Sequence, residues 1–225
     1  MNHKFCLFDA PLLNNFSQIS TTENADLTKV FENTLVERQP VNAVTVVMNH
    51  DTQPGQTVET PVASFFKPLA YALILLREKG YPCLFYGDLY GMKGKTPEDP
   101  SCEGKLPQLA LARKLYAYGK QIDYFDDGEK NCIGFNRQGT ADRPDGLACV
   151  MSNAGVGQKK MFVGPLHTGE IWTDVLGWEE QEVEIDQEGY GMFPCPNVKV
   201  AVFVNKAAKG REEFDKLNLW VSFIA

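Results

Sequence analysis

Hydrophobic positions change their rhythm once along this chain, near residue 119. Before that point, short apolar runs alternate with segments whose apolar residues recur at helical spacing. Phe5-Cys6-Leu7-Phe8-Asp9 predicts a short buried strand, ended by Ala10-Pro11. Residues 24–33 carry Leu27, Val30 and Phe31 at helical spacing, with Asn24 placed to cap the helix. The β-branched run 44–48 predicts a second strand, residues 61–79 a long helix, and Gly80 its stop. Residues 82–86 predict a third apolar strand, closed by Gly87-Asp88. Residues 106–118 predict another helix, stopped by Gly119. The order is βα, βα, βα, with strands too apolar to keep one wet face, which predicts a parallel sheet covered by helices. Between the third strand and its helix lies a polar loop holding Gly91, Gly94, Pro97, Pro100 and Gly104, a candidate lid or rim.

From about Lys120 the runs become short and are separated by Gly, Asp, Asn and Pro. They fall at Ile133-Gly134-Phe135, 146–152, Met161-Phe162-Val163, Ile171-Trp172, Val183-Glu184-Ile185 and 198–204. Residues 198–202 alternate with period two. This texture predicts an antiparallel sandwich or Greek-key domain. The expected organisation is therefore an α/β domain over 1–119 and a β-sandwich domain over 120–225. Residues 205–216 are charged and expected at the surface, and 217–225 are apolar enough to pack against something.

Composition adds exclusions. A net charge of −7 argues against nucleic-acid backbones and anionic membranes, both of which select basic surfaces, and says little about neutral ligands. The opening residues Met1 to Cys6 lack the apolar core and small-residue cleavage site of a leader. The longest apolar segment, 68–76, is far too short to span a bilayer. Six cysteines, at 6, 83, 102, 132, 149 and 195, are widely spaced with no CxxC pair, and three histidines complete the chain's soft ligands. A zinc site is not expected; free thiols and a cytoplasmic location are.

The sharpest chemical signal lies where the second strand ends, in Val47-Met48-Asn49-His50-Asp51-Thr52-Gln53-Pro54-Gly55-Gln56. Strand ends hold the backbone still while side chains face a cleft, so a His-Asp pair there can bind a polyhydroxylated ligand or stabilise developing positive charge. The plainer alternative is a turn, because Asn and Asp readily hydrogen-bond their own backbone.

Five segments together resemble the α-amylases of glycoside hydrolase family 13, most of all the intracellular fungal type related to bacterial liquefying amylases. They are Phe8-Asp9-Ala10-Pro11-Leu12, the His50-Asp51 run, Phe66-Lys67-Pro68-Leu69-Ala70-Tyr71-Ala72, Gly80-Tyr81-Pro82-Cys83-Leu84-Phe85-Tyr86-Gly87-Asp88, and Ala112-Arg113-Lys114-Leu115-Tyr116-Ala117-Tyr118-Gly119. The resemblance implies the C-terminal half of such an enzyme: the last three βα units of a (β/α)8 TIM barrel over 1–119, then the family's antiparallel β-sandwich domain C over 120–225. It implies that Asp51 is the catalytic carboxylate that stabilises the transition state and that His50 binds the substrate sugar. The implied partner is an α-1,4-glucan, as polysaccharide or oligosaccharide, and the implied chemistry is hydrolysis with retention of configuration.

Retaining glycosidases also need a nucleophilic carboxylate and a general acid about 5 Å apart. The resemblance places these after two earlier barrel strands, which have no counterpart in this sequence, so the 225 residues alone are expected to be inactive. Asp9, Asp88 and Asp123 lie outside those motifs and read as turn or packing residues. The run Pro11-Leu12-Leu13-Asn14 departs from the family's Pro-Leu-His-Tyr pattern, removing ligand contacts expected of that loop. Calcium joins the barrel to domain C in some bacterial relatives, but Asp123 has no complete ligand set around it, so no cofactor is expected in this chain. Three barrel strands without their neighbours predict an open sheet with an uncovered apolar face. A competing reading is a non-catalytic glucan-binding or regulatory protein, using Tyr86, Tyr90, Trp172, Trp178 or Tyr190 as stacking platforms. A third, a cysteine nucleophile at Cys83 or Cys149, is weak because each sits in an apolar run.

Overall fold

The computed structural model describes residues 5–93 and 96–221. Residues 1–4, Gly94 and Lys95 of the rim loop, and the end of the apolar tail at 222–225 lie outside the described residues. Strands β1 (Leu7–Phe8), β2 (Ala43–Val46) and β3 (Tyr81–Cys83) form a parallel sheet in that order, registered through Leu7–Ala43, Val44–Tyr81 and Val46–Cys83. Helix α1 (Ala10–Thr21) follows β1, and the single turn α2 (Leu35–Arg38) precedes β2. Helix α3 (Lys67–Leu76) follows β2, and α4 (Tyr86–Tyr90) and α5 (Leu106–Tyr116) follow β3. This is a partial (β/α) barrel.

Asp9 explains why the first crossover helix starts where it does. Its carboxylate accepts from Leu12 N at 3.1 Å, capping α1, and Pro11 fits the first turn, where no N–H is needed. The same buried carboxylate accepts from Leu35 N at 3.0 Å and Val36 N at 2.7 Å, so one side chain satisfies the N-termini of two helices. The helix expected over 24–33 is instead a 3-10 turn at Leu27–Lys29, capped by Asp26 rather than Asn24. Asn24 and Asn33 both take left-handed backbone, with φ of 52° and 61°, which closes off a regular helix at each end. The long helix expected over 61–79 is shorter too. It begins at Lys67-Pro68 and ends at Leu76, where Arg77 turns extended and donates twice to Asp123.

The strand at residues 5–9 is short but not buried: Leu7 and Phe8 are 61% and 55% exposed. No strand among the described residues lies beyond β1, so the apolar edge faces solvent.

After α5 come β4 (Gln121–Tyr124), β5 (Cys132–Arg137), β6 (Leu147–Ser152), β7 (Gly157–Phe162), β8 (Ile171–Asp174), β9 (Val183–Glu184), β10 (Tyr190–Cys195) and β11 (Val200–Asn205). Six of them pair antiparallel in the order β4-β5-β6-β11-β8-β9, and β7 pairs with β10. Val150, Met161, Trp172, Phe193 and Phe203 fill the space between the two sheets, making a β-sandwich. The other face of the large sheet presents Phe135, Cys149, Met151, Val200 and Val202 to one core shared with α3 and α5. Helix α3 is thus enclosed on every side, and each of its ten residues is buried.

The core is therefore continuous across residue 119. Gly119 itself sits at φ +77°, and a Cβ there would lie 1.7 Å from Gly139 O, so the crossing point needs glycine. Arg137 bridges the halves, donating to Gly119 O at 2.9 Å and to Leu76 O at 3.1 Å. The charged segment after β11 does more than coat the surface. It leads into α6 (Glu212–Val221), whose Phe214 is buried and stacks on Tyr116 of α5, ring centroids 6.3 Å apart.

Candidate functional site

Strand β2 runs out into Asn49, and Asn49 makes the turn. Its Oδ1 accepts from Asp51 N at 2.9 Å and Thr52 N at 3.0 Å, while Thr52 Oγ1 accepts from Asn49 N at 3.0 Å. The turn reading is correct for Asn49, and it leaves the next two side chains free of that task. His50 and Asp51 project outward, 82% and 65% exposed, with His50 Nε2 3.3 Å from Asp51 Oδ1. An imidazole and a carboxylate so placed can donate to and accept from sugar hydroxyls, and the carboxylate can face a developing positive charge. The sequence expectation put these two residues together at a strand end, and that is where they stand.

Strand β3 leaves the sheet beside β2, and the turn α4 follows at once. Its central Asp88 is buried and forms the hub of a polar network. Lys67 Nζ lies 2.8 Å from Asp88 Oδ1 and 3.0 Å from Glu98 Oε2, and the hydroxyls of Tyr71 and Ser101 both donate to Asp88. Burial alone would pull the Lys67 ammonium down, but the charges and hydrogen bonds of Asp88 and Glu98 overcome it and hold the group above its ordinary value. Burial, reinforced by the Asp88 charge, pushes the Tyr71 phenol far up. The network ties α3 to the rim loop, since Ser101 N also donates to Asp88 O at 2.8 Å and Met92 and Glu98 bridge across the loop. Asp88 is thus a buried ionic hub rather than a simple turn residue, and Asp123 is the bidentate partner of Arg77. The sequence signal for the hub was a lone lysine inside the otherwise apolar run Phe66 to Leu76.

No protein-family model matches the chain. Over 208 residues it is 42% identical to the α-amylase of Bacillus licheniformis, a match spanning 91% of this chain and 40% of that protein. Over 210 residues it is 45% identical to the cytoplasmic α-amylase of Escherichia coli K12, spanning 89% of this chain and 42% of that one. The chain belongs to the α-amylase family. It corresponds to the C-terminal part and spans about two fifths of the length of these curated relatives. The crystal structure of α-amylase I from Eisenia fetida, as an E249Q mutant with maltohexaose, superposes with a TM-score of 0.62 over 88% of this chain and 48% of that one. At 15% identity this likeness speaks for the fold alone.

The remaining candidates sort by their surroundings. Trp172 is buried in the sandwich, donating to Glu170 and packed edge-on against His167 and Phe193, so it is a core residue and no platform. Trp178 donates to Glu103 at 2.9 Å, and the ammonium groups of Lys105 and Lys199 lie 5.3 and 4.9 Å from its ring centroid. Its ring serves the contact between α5's entry and the sandwich. Tyr190 leans on Phe162 beneath Lys160. Cys149 is fully buried, and burial pushes its thiol well up, which removes it as a nucleophile. Tyr86 and Tyr90 remain solvent-facing. The cavity of about 370 Å³ around Arg77 and that of about 760 Å³ around Arg211 are lined by neither His50 nor Asp51. Among the described residues no group of three or more His, Cys, Asp or Glu could hold a metal ion, and no helix is long and apolar enough to cross a membrane.

Proposed function

We propose that this chain is the part of a retaining α-1,4-glucan hydrolase that carries the sugar-binding His50 and the transition-state-stabilising Asp51. The observation that carries the reading is 42–45% identity to proteins named α-amylase, running through a strand end whose His and Asp are not consumed by the turn. In this reading His50 Nε2 donates to a hydroxyl of the sugar at the cleavage point. The Asp51 carboxylate accepts from neighbouring hydroxyls and offsets positive charge as the ring flattens toward an oxocarbenium ion. Nucleophile and general acid come from outside these 225 residues. A cytoplasmic location is supported by the Escherichia coli relative's name.

Reducing-sugar release from soluble starch by the purified chain, with Asp51→Asn as control, tests this. The expected result is no release above the control. Release that disappears in Asp51→Asn would show that carboxylates inside this chain perform both missing roles.

A further inference from the structure

We infer that Glu103 is a strained latch by which the β-sandwich holds the end of the rim loop, residues 96–101, in place. The latch is a property of the fold, so it goes beyond the glucan hydrolase reading and does not depend on it. Cys102, Glu103 and Gly104 take left-handed backbone one after another, with φ of 58°, 54° and 76°. Gly104 adopts that region freely, whereas the Cβ atoms of Cys102 and Glu103 oppose it, so the corner keeps this shape only where its surroundings hold it. It stands where the rim loop ends and α5 begins, and it is held from two sides.

On the inner side, Cys102 is buried in the main core, Ser101 Oγ donates to Asp88 Oδ1 at 2.5 Å, and Ser101 N donates to Asp88 O at 2.8 Å. On the outer side, the Glu103 carboxylate accepts from Trp178 Nε1 at 2.9 Å and from Lys199 Nζ at 2.5 Å. Both partners belong to the sandwich, which fixes them. The buried Asp174 carboxylate accepts from the N–H groups of Leu176, Trp178 and Glu179, and from Val202 of β11. The turn carrying the indole is thereby tied to the strand that follows Lys199. Lys105 completes the outer side by donating to Leu176 O, with its ammonium 5.3 Å from the indole centroid. The loop end reaches α3 in turn, because Glu98 Oε2 accepts from Lys67 Nζ at 3.0 Å. The sandwich thus fixes a loop at the end of the parallel sheet through partners 75 and 96 residues from Glu103 in sequence. Because the Glu103 side chain is 61% exposed, the latch is of modest strength.

Hydrogen–deuterium exchange of the purified chain tests the latch, read at the Ser101, Gly104 and Lys105 amides with the β5–β6 pairing as internal reference. Glu103→Ala and Trp178→Phe are expected to speed exchange of those three amides about fivefold and to leave β5 and β6 unchanged. Glu103→Gly is expected to stay within about twofold of the parent, since it loses the clamp but also the Cβ that opposes the left-handed corner. Glu103→Gln, which keeps an acceptor for the indole, is expected to exchange more slowly than Glu103→Ala. Parent rates in both Glu103→Ala and Trp178→Phe would overturn the latch. Equal acceleration in Glu103→Ala and Glu103→Gly would overturn the role of strain and reduce Glu103 to a surface contact. Acceleration shared equally by β5 and β6 would overturn it as a local device, because loss of global stability would then account for the change.

Discussion

Lys67→Met is expected to be among the most damaging single changes to this chain, although it removes one charge from a helix and leaves the apolar stem. The ammonium is buried between Asp88 at 2.8 Å and Glu98 at 3.0 Å. Its loss strands the Asp88 carboxylate, whose side chain is 1% exposed, without its cation. Removing one partner of a buried pair costs about 3–5 kcal/mol. Asp88 keeps hydrogen bonds from Tyr71 and Ser101, and Glu98 can turn to water, so the lower end, about 3 kcal/mol, is expected. With a urea slope of about 2–3 kcal/mol/M, the midpoint should fall by about 1–1.5 M. Coincident circular-dichroism and fluorescence transitions would license the comparison. Adding Asp88→Asn to Lys67→Met should recover part of the loss, because the stranded charge is then gone. The Lys67 group is held above its ordinary value, so its contribution is fully present below about pH 10.5 and is lost as pH rises through the folded value. A midpoint that moves by less than about 0.3 M in Lys67→Met, or no recovery in the double variant, would refute the account of Asp88 as a charged hub.

Two further outcomes rest on named contacts. Asp9→Ala leaves three backbone N–H groups, on Leu12, Leu35 and Val36, without their acceptor and should cost about 3 kcal/mol in urea unfolding, with Asp9→Asn losing less because one oxygen remains. Equal losses in the two variants would sink that reading. The hydrogen bond from Lys199 holds the Glu103 carboxyl below its usual range, burial opposes this, and the Trp178 indole assists it. Stability from this carboxylate is thus present above its unfolded value, near 4.5, and is lost as pH falls through the lower folded one. Because Glu103 is largely exposed, the effect should stay under about 1 kcal/mol, and the acid limb of a Trp178 fluorescence titration should shrink in Glu103→Gln. An unchanged limb would mean that the contact carries no charge-dependent stability.

The architecture was legible where sequence rhythm and burial agree. The apolar run 44–48 and the stop at Gly119 correspond to β2 and the end of α5, whereas the alternation at 198–202 found strand β11 but not its burial, because β11 is packed on both faces between the two cores. Legibility failed where one side chain outweighed periodicity. Helix α1 went unread because its start depends on Asp9, whose carboxylate is shared with a segment 26 residues away. The 24–33 segment has helical spacing, but two left-handed asparagines keep it a turn. Helix α3 showed no boundary at residue 67 because it is apolar all round, so periodicity cannot mark where enclosure begins.

The sequence by itself determined the family, the βα-then-β order and the two residues, His50 and Asp51, that mark the strand end. These rest on local pattern and residue identity, which a linear chain displays. Tertiary structure alone decided that Asn49 makes the turn and frees its neighbours, and that Lys67 and Asp88 meet in a buried network. It also decided that Trp172 is core while Tyr86 and Tyr90 face water. Those outcomes depend on which surfaces packing removes from solvent, and the same tryptophan or tyrosine reads identically in sequence on either side of that boundary.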